Sequence, residues 1–188
     1  MRQDARDNRE RILGAAEEVF GAHGAAGSTE EVARLARVGI ATVFRHFPTK
    51  EALIEAALLR HFDHLTDRAT ALASGADPAV AWRTLVRAMI ETGATKLTLA
   101  SMLTTPDHAD RGGLPNSAAA ASNRLKAAVS EVLRRAQDAG AVRPSVAIDE
   151  VYLLIRGLAQ VAATTGARPD TLDRAIDVVL TGLSLPAR

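Results

Sequence analysis

The chain has 188 residues, 47% of them hydrophobic, with a net charge of +1. That is enough apolar material for one medium domain, or for a small one joined to a larger one, and the charge is not that of a generally basic nucleic-acid binder. There is no cysteine, which excludes disulfide scaffolds, thiolate metal sites and cysteine nucleophiles together.

Ala and Leu are abundant, which favours helix. No apolar run approaches the roughly 18 residues that a membrane span needs, so no membrane association is expected. The opening residues MRQDARDNRER are charged and lack the apolar centre of a signal peptide. A cytoplasmic protein is therefore expected, and the excess of Arg over Lys points to a GC-rich bacterial genome. Residues 1–8 read as a flexible arm whose Arg2 and Arg6 can reach a minor groove or phosphates. Arg9 to Ala22 reads as a helix, because Ile12, Ala15, Ala16, Val19 and Phe20 recur at helical spacing. Gly24 suits the position just past its end.

The stretch STEEVARLARVGIATVFRHFPTK, Ser28 to Lys50, reads as two short helices joined by a tight turn. Ser28 and Glu31 form a capping box, and Val32, Leu35 and Ala36 supply the first helix with one apolar face. Arg37-Val38-Gly39 breaks it. Gly39 caps a second helix, Ile40 to Phe47, in which Val43 and Phe47 share the packed face, while Thr42, Arg45 and His46 can point outward. Pro48 stops it, and Thr49 caps the helix that starts at Lys50. Two short helices of this kind make a helix-turn-helix, a motif that lays its second helix in the DNA major groove. Residues 1–50 hold eight Arg or Lys against seven Asp or Glu, so affinity must come from a few placed cations and helix ends, not from bulk charge.

Glu31-Val32-Ala33, Val38, Thr42-Val43-Phe44-Arg45-His46-Phe47 and Lys50-Glu51-Ala52-Leu53 together resemble the DNA-binding domain of the TetR family of bacterial transcription regulators. The resemblance covers roughly the first 60 residues; beyond them only length and helical content match. It implies an all-α protein, with a three-helix helix-turn-helix DNA-binding domain at residues 8–67 and a helical ligand-binding and dimerisation domain at 68–188. It also implies DNA-facing roles. Gly39, Ile40, Ala41 and Thr42 would form the exposed first turn of the recognition helix. There Thr42 bonds a base or phosphate, and Ile40 or Ala41 touches a thymine methyl. Arg45 would reach phosphate or guanine, and His46 and Lys50 would hold phosphate, which sets register without reading sequence. Three positions depart from the family pattern. Phe44 stands where Tyr is usual, removing one phosphate hydrogen bond. Arg37 stands where Gly is usual, which at positive φ costs about 1 kcal/mol unless offset by a phosphate contact. Ile40 replaces what is often a polar or basic residue.

Lys50 to about Ser74 reads as a long helix with Leu53, Ala56, Ala57, Leu58, Phe62 and Leu65 on its apolar side. His61, His64 and Asp67 fall at i, i+3 and i+6 on it, but the third has rotated off the line and no fourth ligand is evident, so no metal is expected. Asp77-Pro78 is an N-cap followed by proline at the first helical position. The helix it opens runs to about Ala94 with Val80, Ala81, Leu85, Ala88, Met89 and Thr92 inward, and Thr95 to Thr105 continues as a shorter piece. PDHADRGGLPNS, residues 106–117, is the longest breaker-rich loop, with His108 between Asp107 and Asp110. A helix then runs to Ala139 on a stripe of Leu125, Ala128, Val129, Val132 and Leu133, and Gly140 ends it.

Val146 to Thr165 contains VYLLIRGLAQVAA, apolar on nearly all sides. Such a helix must be covered on more than one face, most simply by a second subunit. The last helix opens at Asp170. Val151, Leu154, Ile155, Leu158 and Ala162, with Ile176, Val179, Leu180 and Leu183, are the expected dimer interface. Phe62, Trp82, Leu85, Met89, Met102 and Leu103, with Thr92, Arg83 and His61 as polar partners, are the candidate ligand pocket. The chain is read as no enzyme, since it has no catalytic constellation, and no cofactor is expected. The expected function is a homodimeric repressor, released from a double-stranded DNA operator by a small-molecule effector. The alternative is a helical interaction module that has lost specific DNA binding.

Overall fold

The computed structural model describes residues 2–75, 77–104, 115–166 and 168–184, and all regular structure among them is helical. Helix α1 spans Arg2–His23 and runs into a 3-10 turn, Gly24–Ala26; α2 is Thr29–Leu35, α3 Ile40–His46 and α4 Lys50–Ala73. Then follow α5 Pro78–Glu91, α6 Gly93–Leu103, α7 Asn116–Asp138, α8 Ile148–Thr165 and α9 Pro169–Leu183. The chain divides into two compact units: Met1–Phe62 with Thr95–Ala121, and Asp63–Ala94 with Ser122–Arg188.

In the first unit α1 packs on α2, and α2 on α3. The core is built from the predicted stripe of α1 (Ile12, Ala15, Ala16, Val19, Phe20), joined by Leu13, by Val32, Ala33 and Ala36, by Val43 and Phe47, and by Leu53, Ile54, Ala57, Leu58 and Phe62. Two expectations are corrected here. Residues 2–8 are the first turns of α1 and not a loose arm; Asp4 in the first turn complements the helix dipole. Leu35 is largely exposed. At 100° per residue, Val32, Ala33 and Ala36 share one arc, and Leu35 falls about 60° outside it. Arg60 of α4 ties back to α1, donating to Glu10 at 3.0 Å and Glu17 at 2.6 Å.

In the second unit α5, α8 and α9 pack against one another. Asp77 caps α5 as its sequence predicts, its Oδ1 accepting from the amides of Ala79 at 2.9 Å and Val80 at 3.1 Å. The buried face of α5 is Ala81, Trp82, Leu85, Val86, Ala88, Met89 and Ile90. Val80 and Thr92, expected inward, are exposed; the Thr92 hydroxyl donates to the Ala88 carbonyl of its own helix at 2.8 Å. A methyl group at Gly93 would lie 2.6 Å from the Ala159 Cβ, so the chain leaving α5 touches α8 with no room for a side chain. From α7 the unit takes Leu125, Val129, Val132, Leu133 and Ala136. The predicted loop at 106–117 and its His108 lie mostly outside the described residues; α7 begins at Asn116. Among the described residues no helix is long and apolar enough to cross a membrane, and no group of three His, Cys, Asp or Glu side chains could hold a metal ion.

Candidate nucleic-acid interface

The helix-turn-helix is assembled from local signals. The Ser28 Oγ accepts from the Glu31 amide at 3.1 Å, and the Ser28 amide donates to Glu31 Oε2 at 2.9 Å. Both halves of the capping box are therefore present. The hydrogen bond from the Ser28 amide is the main reason the Glu31 carboxyl lies below its ordinary range. At its other end α2 closes with the Val38 amide donating to the Ala33 carbonyl at 3.0 Å. Arg37, at φ 55°, holds the left-handed position that glycine usually takes in this motif. Arg37 is the sole non-glycine residue at positive φ among those described. Gly39 is the N-cap of α3, with its carbonyl accepting from Thr42 at 2.8 Å.

Val43 and Phe47 anchor α3 to the core. That leaves Gly39, Ile40, Ala41, Phe44 and Arg45 exposed on one continuous outer surface, with Thr42 and His46 half-buried at its edges. Arg37 and Arg45 are exposed, and no hydrogen bond or ion pair occupies their side chains among the described residues. His46 differs: its Nε2 is shut away from solvent without a hydrogen-bond partner among the described residues. Three other cations of this region have contacts within the protein, though Arg9 and Arg11 stay exposed and Lys50 is half-buried. Arg9 lies over the Phe47 ring at 5.4 Å, and Arg11 donates to the Ala36 carbonyl at 3.3 Å. Lys50 donates to the carbonyls of Ala25 at 2.9 Å and Gly27 at 2.6 Å.

The remaining predicted site residues fall into two groups. Of the pocket candidates, Phe62, Met102 and Leu103 belong to the first unit, and Trp82, Leu85, Met89 and Thr92 to the second. His61, the polar candidate on α4, is buried with Nδ1 4.0 Å from Glu17. Trp82 is 2% exposed, and its Nε1 has no hydrogen-bond partner among the described residues. Tyr152 of α8, which the sequence reading passed over, resembles it. The Tyr152 hydroxyl is buried and without a hydrogen-bond partner among the described residues, and burial pushes its pKa up to about 12. A groove of about 310 Å³ in the second unit is lined by Arg68, Val80, Arg83, Thr84, Arg87, Glu91 and Leu180. Arg83 is the one pocket candidate on it, and it is held by Asp177 at 3.1 Å.

Of the predicted interface residues, Val151, Ile155, Ile176, Leu180 and Leu183 are buried within the chain itself, and Leu158, Ala162 and Val179 are half-buried. Leu154 is 38% exposed, and beside it stand residues the sequence did not single out: Leu153 at 73%, Val161 at 57% and, on α9, Val178 at 72%. Leu153, Gly157 and Val161 follow one another at i, i+4 and i+8, an apolar stripe that is exposed among the described residues.

Two family descriptions match the chain. Residues 12–57 match "Bacterial regulatory proteins, tetR family", and residues 77–185 match "Transcriptional regulator SbtR-like, C-terminal domain". Among solved structures, a TetR transcriptional regulator from Streptomyces coelicolor is 32% identical, with a TM-score of 0.78 over 95% of this chain and 99% of that one. A TetR regulatory protein from Mycobacterium vanbaalenii is 30% identical, with a TM-score of 0.75 over 98% and 99%. Escherichia coli NemR, at 19% identity and a TM-score of 0.66 over 96% and 100%, shares the fold. No functionally curated sequence matches significantly. The chain belongs to the TetR family of bacterial transcriptional regulators.

Proposed function

We propose that the chain is a non-enzymatic, homodimeric repressor that reads a two-fold symmetric operator with α3 and is released by a small-molecule effector. The observation that carries this reading is the outer surface of α3, with Phe44 and Arg45 exposed and Thr42 half-buried on a helix anchored from behind by Val43 and Phe47, and with Arg37 exposed in the turn that precedes it. Residues 8–67 would act as the DNA-binding domain and 68–188 as the effector and dimerisation domain. Arg37 and Arg45 meet phosphate or guanine, Thr42 a base edge, Ile40 and Ala41 a thymine methyl, and Gly39 lets the backbone approach. Phe44 offers packing without a hydroxyl, and His46 must turn its ring to reach phosphate. Lys50 belongs to the same site by position.

Dimerisation is supported by the uncovered stripe of Leu153, Leu154 and Val161 on α8 with Val178 on α9. Two such helices from each subunit would form a four-helix seam, and a contiguous apolar surface of this kind marks a protein interface. The effector reading is supported by Trp82 Nε1 and the Tyr152 hydroxyl, two buried polar atoms of one unit without partners among the described residues. Buried polar groups are nearly always paired, and a ligand bearing a hydrogen-bond acceptor would satisfy the indole. Its binding would favour one spacing of the two recognition helices over the other.

The test is selection of duplexes from a random pool by the purified protein. An enriched palindromic sequence, bound less tightly as salt rises, is the expected result. No enrichment and a flat salt response would leave the helical interaction module without DNA specificity as the correct reading.

A further inference from the structure

We propose that Arg9 and Arg11 of α1 form a second DNA contact, gripping phosphates on either side of the groove that α3 enters; the inference deepens the DNA-binding reading above and rests on it. Arg9 stands three, four and seven residues before Ile12, Leu13 and Ala16, on the buried arc of α1 that packs on the helix-turn-helix. The core ends a turn short of it, and its side chain is 48% exposed. Its guanidinium lies 5.4 Å from the centroid of the Phe47 ring, at the C-cap of α3. Arg11, also exposed, donates from Nη1 to the Ala36 carbonyl at 3.3 Å and from Nη2 to Asn8 Oδ1. Ala36 precedes Arg37 in the turn that leads into α3. The two guanidiniums therefore stand off opposite ends of the recognition helix.

Neither internal contact saturates its cation. A guanidinium carries five N–H donors in one plane. Stacked on a ring, Arg9 keeps them at its edge with the orientation already set, and Arg11 has three donors beyond the two it uses. The seven residues of α3 span about 10 Å, against a major groove about 12 Å wide. Cations beyond both ends of that helix fall at the two phosphate walls. The other end of α1 is directed elsewhere: a methyl group on Gly21 would meet Thr95 of α6 at 3.0 Å. Residues 2–11 hold four Arg against three Asp or Glu, and Glu10 accepts from Arg60 at 3.0 Å. Contacts of this kind fix register and add affinity on any sequence.

The experiment compares wild type, Arg9→Gln/Arg11→Gln and Arg9→Lys/Arg11→Lys on a duplex selected by the wild-type protein and on an unrelated one. Binding is measured over a range of salt at a temperature where all three are folded. Both arginines are lost from each of two subunits, so the slope of log affinity against log salt should be shallower by about 3.6 in the Gln variant, at about 0.9 per contact. Its affinity should fall by a similar factor on both duplexes, and the Lys variant should keep the wild-type slope. An unchanged slope in the Gln variant overturns the inference, and weaker binding at that unchanged slope would mark the pair as a brace for α3 instead. Retention on immobilised heparin, a sulfated polyanion, tests the same surface without an operator. The Gln variant should elute at lower salt than wild type, and at lower salt than Arg68→Gln/Arg174→Gln, an equal change of charge in the second unit. Co-elution of the two Gln pairs sinks the α1 contact whether or not the protein selects DNA, whereas failure of the wild type to select any duplex sinks the proposed function.

Discussion

Replacing Leu153 by Glu should separate the subunits without unfolding them. Leu153 is 73% exposed in the single chain, so the substitution removes almost nothing from the fold. Glu is a good helix former, and a surface change of this kind shifts stability by less than about 0.5 kcal/mol. In a two-fold dimer the same change occurs twice. Burying a leucine is worth about 1.5–3 kcal/mol, and roughly three-quarters of that surface is still uncovered before assembly. The pair of substitutions therefore forfeits about 2–4 kcal/mol of association before any cost of desolvating two carboxylates. That weakens the dimer by roughly 30- to 1,000-fold. Sedimentation across a concentration series reads this directly. Wild type should run at twice the 19.8 kDa chain mass, and the variant should dissociate towards 19.8 kDa at concentrations where wild type stays paired. Leu180→Ala is the contrast: Leu180 is 2% exposed, so its loss should lower thermal stability by about 2–5 kcal/mol of cavity cost with a far smaller effect on pairing. An equally tight dimer for Leu153→Glu and for Leu153→Glu/Val178→Glu would refute the assignment of this face.

Other consequences follow from single positions. Gly93→Ala drives a methyl to 2.6 Å from Ala159 and should cost about 1–3 kcal/mol, with Ala159→Gly added to it restoring much of the melting temperature. Arg37→Gly relieves a left-handed arginine and should stabilise by about 1 kcal/mol, while weakening DNA binding and its salt dependence if the side chain meets phosphate. Tyr152 is the only tyrosine, so ultraviolet titration reads it alone; its midpoint should fall at about 12. Because the folded pKa is raised above the unfolded value, stability from this group is complete below about pH 10 and is lost as pH climbs through the folded pKa. Tyr152→Phe should abolish that alkaline loss, leaving stability at neutral pH equal or higher.

The features that sequence disclosed best are those decided within a few residues. The Ser28–Glu31 box, the Asp77-Pro78 cap and the Gly39 start each need only a neighbouring amide, so composition and spacing determine them. The strained Arg37 was likewise visible, because the turn allows one conformation whatever residue fills it. What stayed hidden depends on partners far along the chain. The hydrogen bonds from Lys50 to the carbonyls of Ala25 and Gly27 are of this kind, reaching 25 and 23 residues back along the chain. The apolar sequence of α8 carries no phase: a helix hydrophobic on most sides does not say which side its own chain covers. The buried set, Val151, Ile155 and Ala159, and the open set, Leu153, Leu154 and Val161, are distinguishable once α5 and α9 are in place. The opening turns of α1 were misread because their charges suit solvent in a helix as well as in a coil.

The central claim is that paired copies of this chain present α3 to neighbouring turns of one DNA face. Hydroxyl-radical footprinting of the wild-type protein on a duplex it has itself selected tests that claim most directly. The account predicts two protected patches, related by two-fold symmetry and centred about 34–36 Å apart on one face of the duplex. A single protected patch, or cleavage unchanged by the protein, would contradict it.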